Sequence, residues 1–225
     1  MSENRTQAQH KEVETKPLTV LVTGFGPFGS HKVNSSWEAV KLLPSMGLTA
    51  NGRELRVETR EIRVSYELVR DRVPALWDEI NPDLCIHVGV SPYKSIKYEK
   101  CANNHGYFLQ DVDSQFLESS TIHPGSPDVL KTSLDLDGLS EEVLSIVAKE
   151  EGGKNNVKIE VSFDAGQYLC DFIYYTSLHH TFKKKIDKAP VLFVHVPPLD
   201  QPYSQSCLAN VLKHTIESIL SNKSN

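Results

Sequence analysis

Three short runs of continuous apolar residues place the strongest limit on how this chain can fold. They cover residues 18–23, 84–90 and 190–199, and they are rich in Val, Leu and Ile. Strands that are apolar on both faces are typical of a parallel sheet that helices cover on both sides. Amphipathic helical patterns, such as those over residues 138–149 and 204–220, accompany these runs. The sequence therefore predicts an α/β fold with a largely parallel sheet.

The length of 225 residues suits one α/β domain. Residues 1–16 are polar and mixed in charge, and they contain no apolar segment of the kind found in signal peptides. We therefore predict a disordered N-terminal tail over residues 1–16 and a single domain over residues 17–221. Residues 103–137 are rich in Asn, Asp, Ser, Gly and Pro. This composition predicts that the segment is a long, irregular and mobile excursion. Whether it acts as a lid is left open.

Composition argues against several classes of function. The formal net charge is −5 and no basic stripe is visible, which disfavours a nucleic-acid binder. The four cysteines show no C-x-x-C spacing, so neither a structural zinc site nor a disulfide framework is expected. No apolar run is long enough to span a bilayer. We predict a cytoplasmic protein in a reducing environment, where a thiol stays available.

Residues 161–172 contain the most reactive candidate, Cys170. A β-rich run ends at residue 161, a turn follows, and an apolar segment of helical character begins. Asp164 is predicted to cap this helix, which places Cys170 within about two turns of its start. The positive end of a helix dipole favours a thiolate. The same pattern also fits a small buried thiol, and the residues alone leave both interpretations open.

Two further residues provide the other groups that thiol catalysis needs. His195 lies at the carboxyl end of an apolar run, at the edge where active sites of α/β proteins form. Glu99 lies among charges, and its pattern alone indicates a solvated surface carboxylate. A cysteine, a histidine and a carboxylate suffice for nucleophilic catalysis. Their spacing does not show that the three meet, so a thiol hydrolase and a generic α/β domain both remain open.

The loop after the first run has the sequence GFGPFG over residues 24–29. Its glycine spacing differs from the dinucleotide fingerprint, and Pro27 lacks a backbone N–H, so a nucleotide site is disfavoured. Phe25 and Phe28 either form an apolar pocket wall at the carboxyl edge of the sheet or simply fill the core.

The remaining histidines predict no catalytic role. His87 lies inside an apolar run and is predicted to be a core histidine. His179 and His180 lie near a cationic helix end and are predicted to face solvent.

Four motifs resemble those of the pyroglutamyl-peptidase I family of cysteine peptidases. They are TGFGPFG followed by VNSSW, YEKCANN, SFDAGQYLC and FVHVPPL, beginning at residues 23, 33, 98, 162 and 193. They occur in the order found in the family, and the resemblance extends from about residue 18 to residue 220. The resemblance implies a single-domain three-layer α/β/α sandwich with a mixed, mostly parallel sheet.

The resemblance also implies an activity and the residues that carry it. The activity is that of a cysteine omega-peptidase, which removes an N-terminal pyroglutamate (5-oxoproline) from peptides through a thioester intermediate. Cys170 would be the nucleophile, His195 the general base and acid, and Glu99 the group that orients His195. The implied substrate-binding residues are Phe25, Phe28, Tyr168 and Leu169. No metal or cofactor is implied.

The expected partners are small peptides with an N-terminal pyroglutamate, and neither nucleic acid nor a membrane is expected. The chain resembles the animal branch of the family, which favours a monomer. Residues 89–94, GVSPYK, replace the Gly-Gln and Gly-Arg pairs of bacterial relatives. Contacts assigned to that carboxamide and guanidinium must therefore be made differently.

Two other functions remain open at this stage. An inactive family member would only bind pyroglutamyl peptides. A phosphorylase-like enzyme would need a phosphate site, for which the first loop is a poor candidate.

Overall fold

The computed structural model describes residues 16–29, 32–150, 157–186 and 189–223. The predicted N-terminal tail lies outside these ranges except for Lys16. The strands are β1 (Thr19–Phe25), β2 (Thr49–Ala50), β3 (Arg53–Glu54), β4 (Arg56–Ile62), β5 (Leu84–Val90), β6 (Ile96–Glu99), β7 (Cys101–Asn103), β8 (Val129–Lys131), β9 (Ile159–Ser162) and β10 (Val191–Val196). The helices are α1 (Ser35–Val40), α2 (Tyr66–Ile80), α3 (Leu136–Glu150), α4 (Leu169–Lys184) and α5 (Gln205–Asn222).

A sheet of six strands, in the order β4-β1-β5-β10-β6-β9, forms the centre of the molecule. The first four of these strands are parallel, whereas β6 runs antiparallel to β10 and parallel to β9. Only five residues connect β5 to β6. A parallel crossover needs a dozen or more residues, so β6 must run back in the opposite direction.

Helices cover both faces of this sheet. One apolar cluster joins the sheet to α1, α3 and α5, and the other joins it to α2 and α4. The predicted α/β/α sandwich with a mixed, mostly parallel sheet is thereby confirmed. In the described ranges, no helix combines the length and the apolar composition needed to cross a membrane.

The VNSSW motif fixes the loop that follows β1. Asn34 caps α1 by accepting a hydrogen bond from Ser36 N at 3.1 Å, and its amide donates to Gly26 O at 3.0 Å. Ser36 Oγ accepts from Phe25 N at 3.0 Å. Because these side chains hold the backbone at the end of β1 and in the loop, Phe25, the last residue of the strand, and Phe28, three residues later, have defined positions.

Residues 103–137, predicted to be irregular, are irregular over 104–128 and 132–135, and they are tied to the rest of the molecule. Strand β8 pairs antiparallel with β7, and an isolated bridge joins His105 to Thr121. The Asp111 carboxylate accepts a hydrogen bond from Tyr66 N at 3.0 Å and so caps the start of α2. The mobility of this excursion stays a prediction.

The prediction that His179 and His180 face solvent is wrong. Both residues are buried. The His179 ring stacks on His123, which belongs to the irregular excursion, and the His180 ring stacks on Trp77 of α2. The helical pattern gave no sign of this burial, because the excursion that covers His179 is distant in sequence.

Candidate active site

Helix α4 begins four residues later than the sequence pattern indicates. Asp164 was the predicted cap, but its carboxylate accepts from Gly166 N at 2.9 Å and so closes a turn. Gly166 has φ +86°, which ends that turn in a conformation that favours glycine. Tyr168 is the N-cap residue and provides no side-chain cap, and Cys170 is the second residue of α4. The thiol therefore lies in the first helical turn, closer to the positive end of the helix dipole than predicted.

Sheet register brings His195 and Glu99 to the same face. Phe193 of β10 pairs with Glu99 of β6. His195 lies two residues after Phe193, and side chains alternate between faces along a strand, so His195 points the same way. That face is the one covered by α4. The strand order, with β10 between β5 and β6, is what brings the pair together.

His195 connects the cysteine to the carboxylate. His195 Nδ1 and Glu99 Oε1 are 2.7 Å apart, and Glu99 is fully buried. The Cys170 side chain adjoins the same imidazole and raises its pKa. Cys170 itself is partly exposed, so a ligand can reach its sulfur. The structure thus brings together the three residues whose meeting the spacing could not show.

The surroundings of His195 favour the protonated form of its ring. Burial lowers the pKa of His195, but the Cys170 sulfur and the Glu99 carboxylate outweigh burial and raise the pKa to about 9. An imidazolium in contact with a sulfur stabilises a thiolate by charge. Chemically, the site can hold an ion pair of a sulfur nucleophile and a protonated base.

Gly89 of β5 leaves space for the sulfur. It pairs in register with His195 on the adjacent strand. A Cβ placed on Gly89 would lie 2.7 Å from Cys170 Sγ and 2.8 Å from the Phe193 ring. Any side chain at this position would therefore displace the sulfur or the ring.

Asp171, directly after the cysteine, ties α4 to the excursion. Its fully buried carboxylate accepts hydrogen bonds from Asn103 N at 3.1 Å and from Tyr107 OH at 2.9 Å. Burial raises the pKa of Asp171 to about 6, although the hydrogen bonds from Asn103 and Tyr107 act in the opposite direction. This group holds the first turn of α4, and with it Cys170, at a fixed position.

The four predicted substrate-binding residues lie in one apolar cluster together with Cys170. They differ in accessibility: Phe25 and Leu169 are 3% and 1% exposed, whereas Phe28 and Tyr168 are partly exposed. Phe28 and Tyr168 can therefore present surface to a ligand, whereas Phe25 and Leu169 belong to the buried part of the cluster.

Sequence reasoning missed Gly89 and Asp171. A signal for Asp171 exists, because a carboxylate directly follows the cysteine within an otherwise apolar segment. Gly89 carries no such signal, since its role depends on which helix crosses the strand. In the part of the chain that the structure describes, no group of three His, Cys, Asp or Glu side chains could hold a metal ion.

The chain is similar to known proteins along most of its length. A family model described as pyroglutamyl peptidase (Peptidase_C15) matches residues 18–219. The chain is 38% identical over 216 residues to pyroglutamyl-peptidase 1 of Homo sapiens, covering 92% of each chain. It is 31% identical over 182 residues to the pyrrolidone-carboxylate peptidase of Pyrococcus furiosus, covering 80% of this chain and 81% of that protein. A solved mutant of pyrrolidone carboxyl peptidase from Pyrococcus furiosus superposes with a TM-score of 0.77 at 28% identity, covering 91% of this chain and 99% of that chain.

Proposed function

The chain belongs to the pyroglutamyl peptidase family, and from this premise we propose that Cys170, His195 and Glu99 remove an N-terminal pyroglutamyl residue from peptides. The reaction is that of a cysteine-type hydrolase. The observation that supports this residue assignment is the 2.7 Å hydrogen bond between His195 Nδ1 and Glu99 Oε1, with the Cys170 side chain beside the same imidazole. Thiol catalysis requires a nucleophile, a base next to it and a third group that orients the base.

In the first half of the reaction, the Cys170 thiolate attacks the carbonyl carbon that joins the lactam to the next residue. A C–S bond forms, and the carbonyl electrons move to the oxygen. Protonated His195 then gives its proton to the leaving nitrogen, so the C–N bond breaks and the shortened peptide departs. The pyroglutamyl group remains on Cys170 as a thioester.

In the second half, a water molecule replaces the departed peptide. His195, now neutral, takes a proton from this water while the oxygen attacks the thioester carbon. The C–S bond breaks, free pyroglutamate leaves, and the thiolate and imidazolium are restored. Glu99 holds the ring in orientation through Nδ1 and stabilises its positive charge in both halves.

Backbone N–H groups at the start of α4 are suited to stabilising the oxyanion. No side chain caps this turn in the described part of the chain. The first N–H groups of a helix have no partner inside the helix and point along the positive end of its dipole. We propose that these N–H groups stabilise the charge that develops on the carbonyl oxygen. Residues 89–94 carry neither the carboxamide nor the guanidinium of bacterial relatives, so those side chains cannot do so here.

The apolar cluster around Cys170 suits the lactam. Pyroglutamate has no charged α-amine, so recognition rests on the fit of a small uncharged ring in an apolar slot. We assign the ring contacts to the partly exposed Phe28 and Tyr168, with Phe25 and Leu169 supporting them from below. A nucleophilic thiol must stay reduced, so we propose a cytoplasmic setting, and we also propose that the protein acts as a monomer without nucleic acid or membrane.

The decisive experiment measures release of a fluorogenic amine from its pyroglutamyl conjugate under reducing conditions. A proline conjugate serves as the substrate control, and Cys170→Ala as the nucleophile control. We expect wild-type turnover of the pyroglutamyl conjugate alone, with loss in Cys170→Ala. A folded, reduced wild-type protein that turns over neither conjugate would overturn the peptidase assignment and favour a protein that only binds pyroglutamyl peptides.

A further inference from the structure

The two most exposed large apolar side chains in the described ranges lie on loops beside Cys170. Phe108 is 70% exposed and Phe163 is 68% exposed. Aromatic surface left in water forgoes the favourable free energy that its burial would provide. Single exposed apolar residues are ordinary, but neighbouring ones at the rim of a site are typical of a surface that binds something.

Contacts on both sides of Phe108 hold it over the start of α4. Tyr107 OH donates a hydrogen bond to Asp171 Oδ2 at 2.9 Å, on the residue next to the nucleophile. The OH of Tyr168, the N-cap residue of α4, donates to Gln110 O at 3.0 Å. Phe108 lies between these two anchors in sequence, and it therefore projects into solvent from a segment fixed beside Cys170.

Phe163 lies on the neighbouring loop, between β9 and α4. Its carbonyl accepts a hydrogen bond from Cys101 Sγ at 3.3 Å, which attaches the loop just beyond Glu99. The two loops also meet each other, because a Cβ placed on Gly106 would lie 3.1 Å from Gln167 Nε2. The exposed aromatic groups thus belong to two adjoining segments, each anchored to the active site.

The proposed peptidase reaction indicates what binds to this surface, namely part of the peptide substrate. The lactam fills the slot in front of Cys170, so the chain after the scissile bond must leave across the surrounding loops. We propose that Phe108, its exposed neighbour Leu109 and Phe163 form a subsite for the side chain that follows pyroglutamate, and that this subsite favours aromatic and large aliphatic side chains. The inference rests on the proposed function and adds a substrate preference to it.

The test compares cleavage of pyroglutamyl-phenylalanine amide with cleavage of pyroglutamyl-alanine amide. The wild-type protein, Phe108→Ser, Phe163→Ser and the control Phe182→Ser are each assayed with both substrates. Phe182 is an exposed phenylalanine of α4, about 18 Å along the helix from Cys170 at 1.5 Å per residue. The quantity measured is the ratio of kcat/KM for the two substrates.

We expect the wild-type protein to prefer the phenylalanine substrate by about 10-fold, as an apolar side-chain contact typically provides. The ratio should fall by about 3-fold or more in Phe108→Ser and Phe163→Ser, and it should be unchanged in Phe182→Ser. Equal ratios in all four proteins would overturn the subsite while leaving the peptidase function intact. An equal loss of kcat/KM for both substrates in a variant would also count against the subsite, because such a loss does not depend on the residue that follows pyroglutamate. Failure of the wild-type protein on both substrates would overturn the proposed function itself.

Discussion

Gly89 and Cys170 are packed so closely that a Cβ on the glycine would lie 2.7 Å from the sulfur. Gly89 is also the register partner of His195 on the neighbouring strand. The residue beside the histidine therefore has no side chain, and the sulfur occupies the space that one would fill. This is a close approach between a backbone and a reacting atom, which only glycine permits.

Replacing Gly89 with alanine should remove activity before it removes the fold. The added methyl group displaces the sulfur from the imidazole, and a misplacement of about 1 Å can cost about 100-fold in rate. The free energy of unfolding should fall by only about 1–3 kcal/mol. Pyroglutamyl-conjugate turnover and urea unfolding measure the two effects. Gly125→Ala, at a loop glycine with open space around it, is the control for backbone strain alone: its φ of +78° disfavours alanine, so stability should fall while the folded protein retains turnover. Activity of Gly89→Ala near the wild-type level would contradict the geometry.

The pH profile of kcat/KM should fall on the alkaline side near the pKa of His195, which is about 9. The reason is that the proton given to the leaving nitrogen is lost as pH rises through that value. Glu99→Gln removes a charge that raises this pKa, so its alkaline limb should move to lower pH. Turnover should also fall by about 10⁴-fold, as for an amide in place of a triad carboxylate. An unchanged limb in Glu99→Gln would show that another group sets it.

Phe28 and Phe25 should respond differently to truncation. Phe28→Ala removes partly exposed surface in the proposed slot, so KM should rise with little change in the free energy of unfolding. Phe25→Ala creates a cavity at a buried position and should cost about 3–5 kcal/mol of stability. Steady-state kinetics and urea unfolding of both variants separate the two outcomes. Equal stability losses would indicate that both phenylalanines are core residues, the interpretation left open by the sequence.

Asp171 should make the folded protein less stable as the pH rises from about 4 to about 6. Its pKa is raised to about 6 in the folded state, against about 3.9 in an unfolded chain, so folding favours the protonated form. That contribution is fully present below the unfolded pKa and is lost as the pH rises through the folded pKa. It amounts to roughly 3 kcal/mol. Urea unfolding at pH 4 and pH 7 should show this loss in the wild-type protein and not in Asp171→Asn, and identical pH dependence in both would refute it.

The excursion over residues 103–137 should exchange its amide hydrogens unevenly. Most of it is irregular, and such segments open easily, so rapid exchange is expected there. Residues 129–131 form β8 and should be protected by their pairing with β7. Hydrogen exchange followed by mass spectrometry measures both regions. Strong protection throughout would contradict the predicted mobility.

The apolar runs were sufficient to predict the layered fold, because strands buried on both faces need helices on both sides. They did not predict which strands are neighbours. The contact between His195 and Glu99 depends on β10 lying beside β6, and no local pattern encodes that order. The assignment of the two residues therefore came from the family resemblance and not from their spacing.

Two local predictions failed for an identifiable reason. Asp164 has the chemistry of a helix cap, but Gly166 with its positive φ inserts a separate turn before α4 begins. His179 has the neighbours of an exposed helix end, but a stacked ring from the distant His123 covers it. In the first case a glycine two residues after the predicted cap decided the outcome, and in the second case a residue 56 positions away did so.

The position of β10 also has a consequence for synthesis of the protein. This strand is the last to leave the ribosome, yet it fills the gap between β5 and β6 in the middle of the sheet. A nascent chain that ends before residue 191 leaves two apolar strand edges open, and such edges are hazards for aggregation. The same chain already carries Cys170 but lacks His195, the residue that we propose activates its thiol. Under that proposal, completion of the sheet and activation of the thiol coincide, and we expect a truncated product to be inactive.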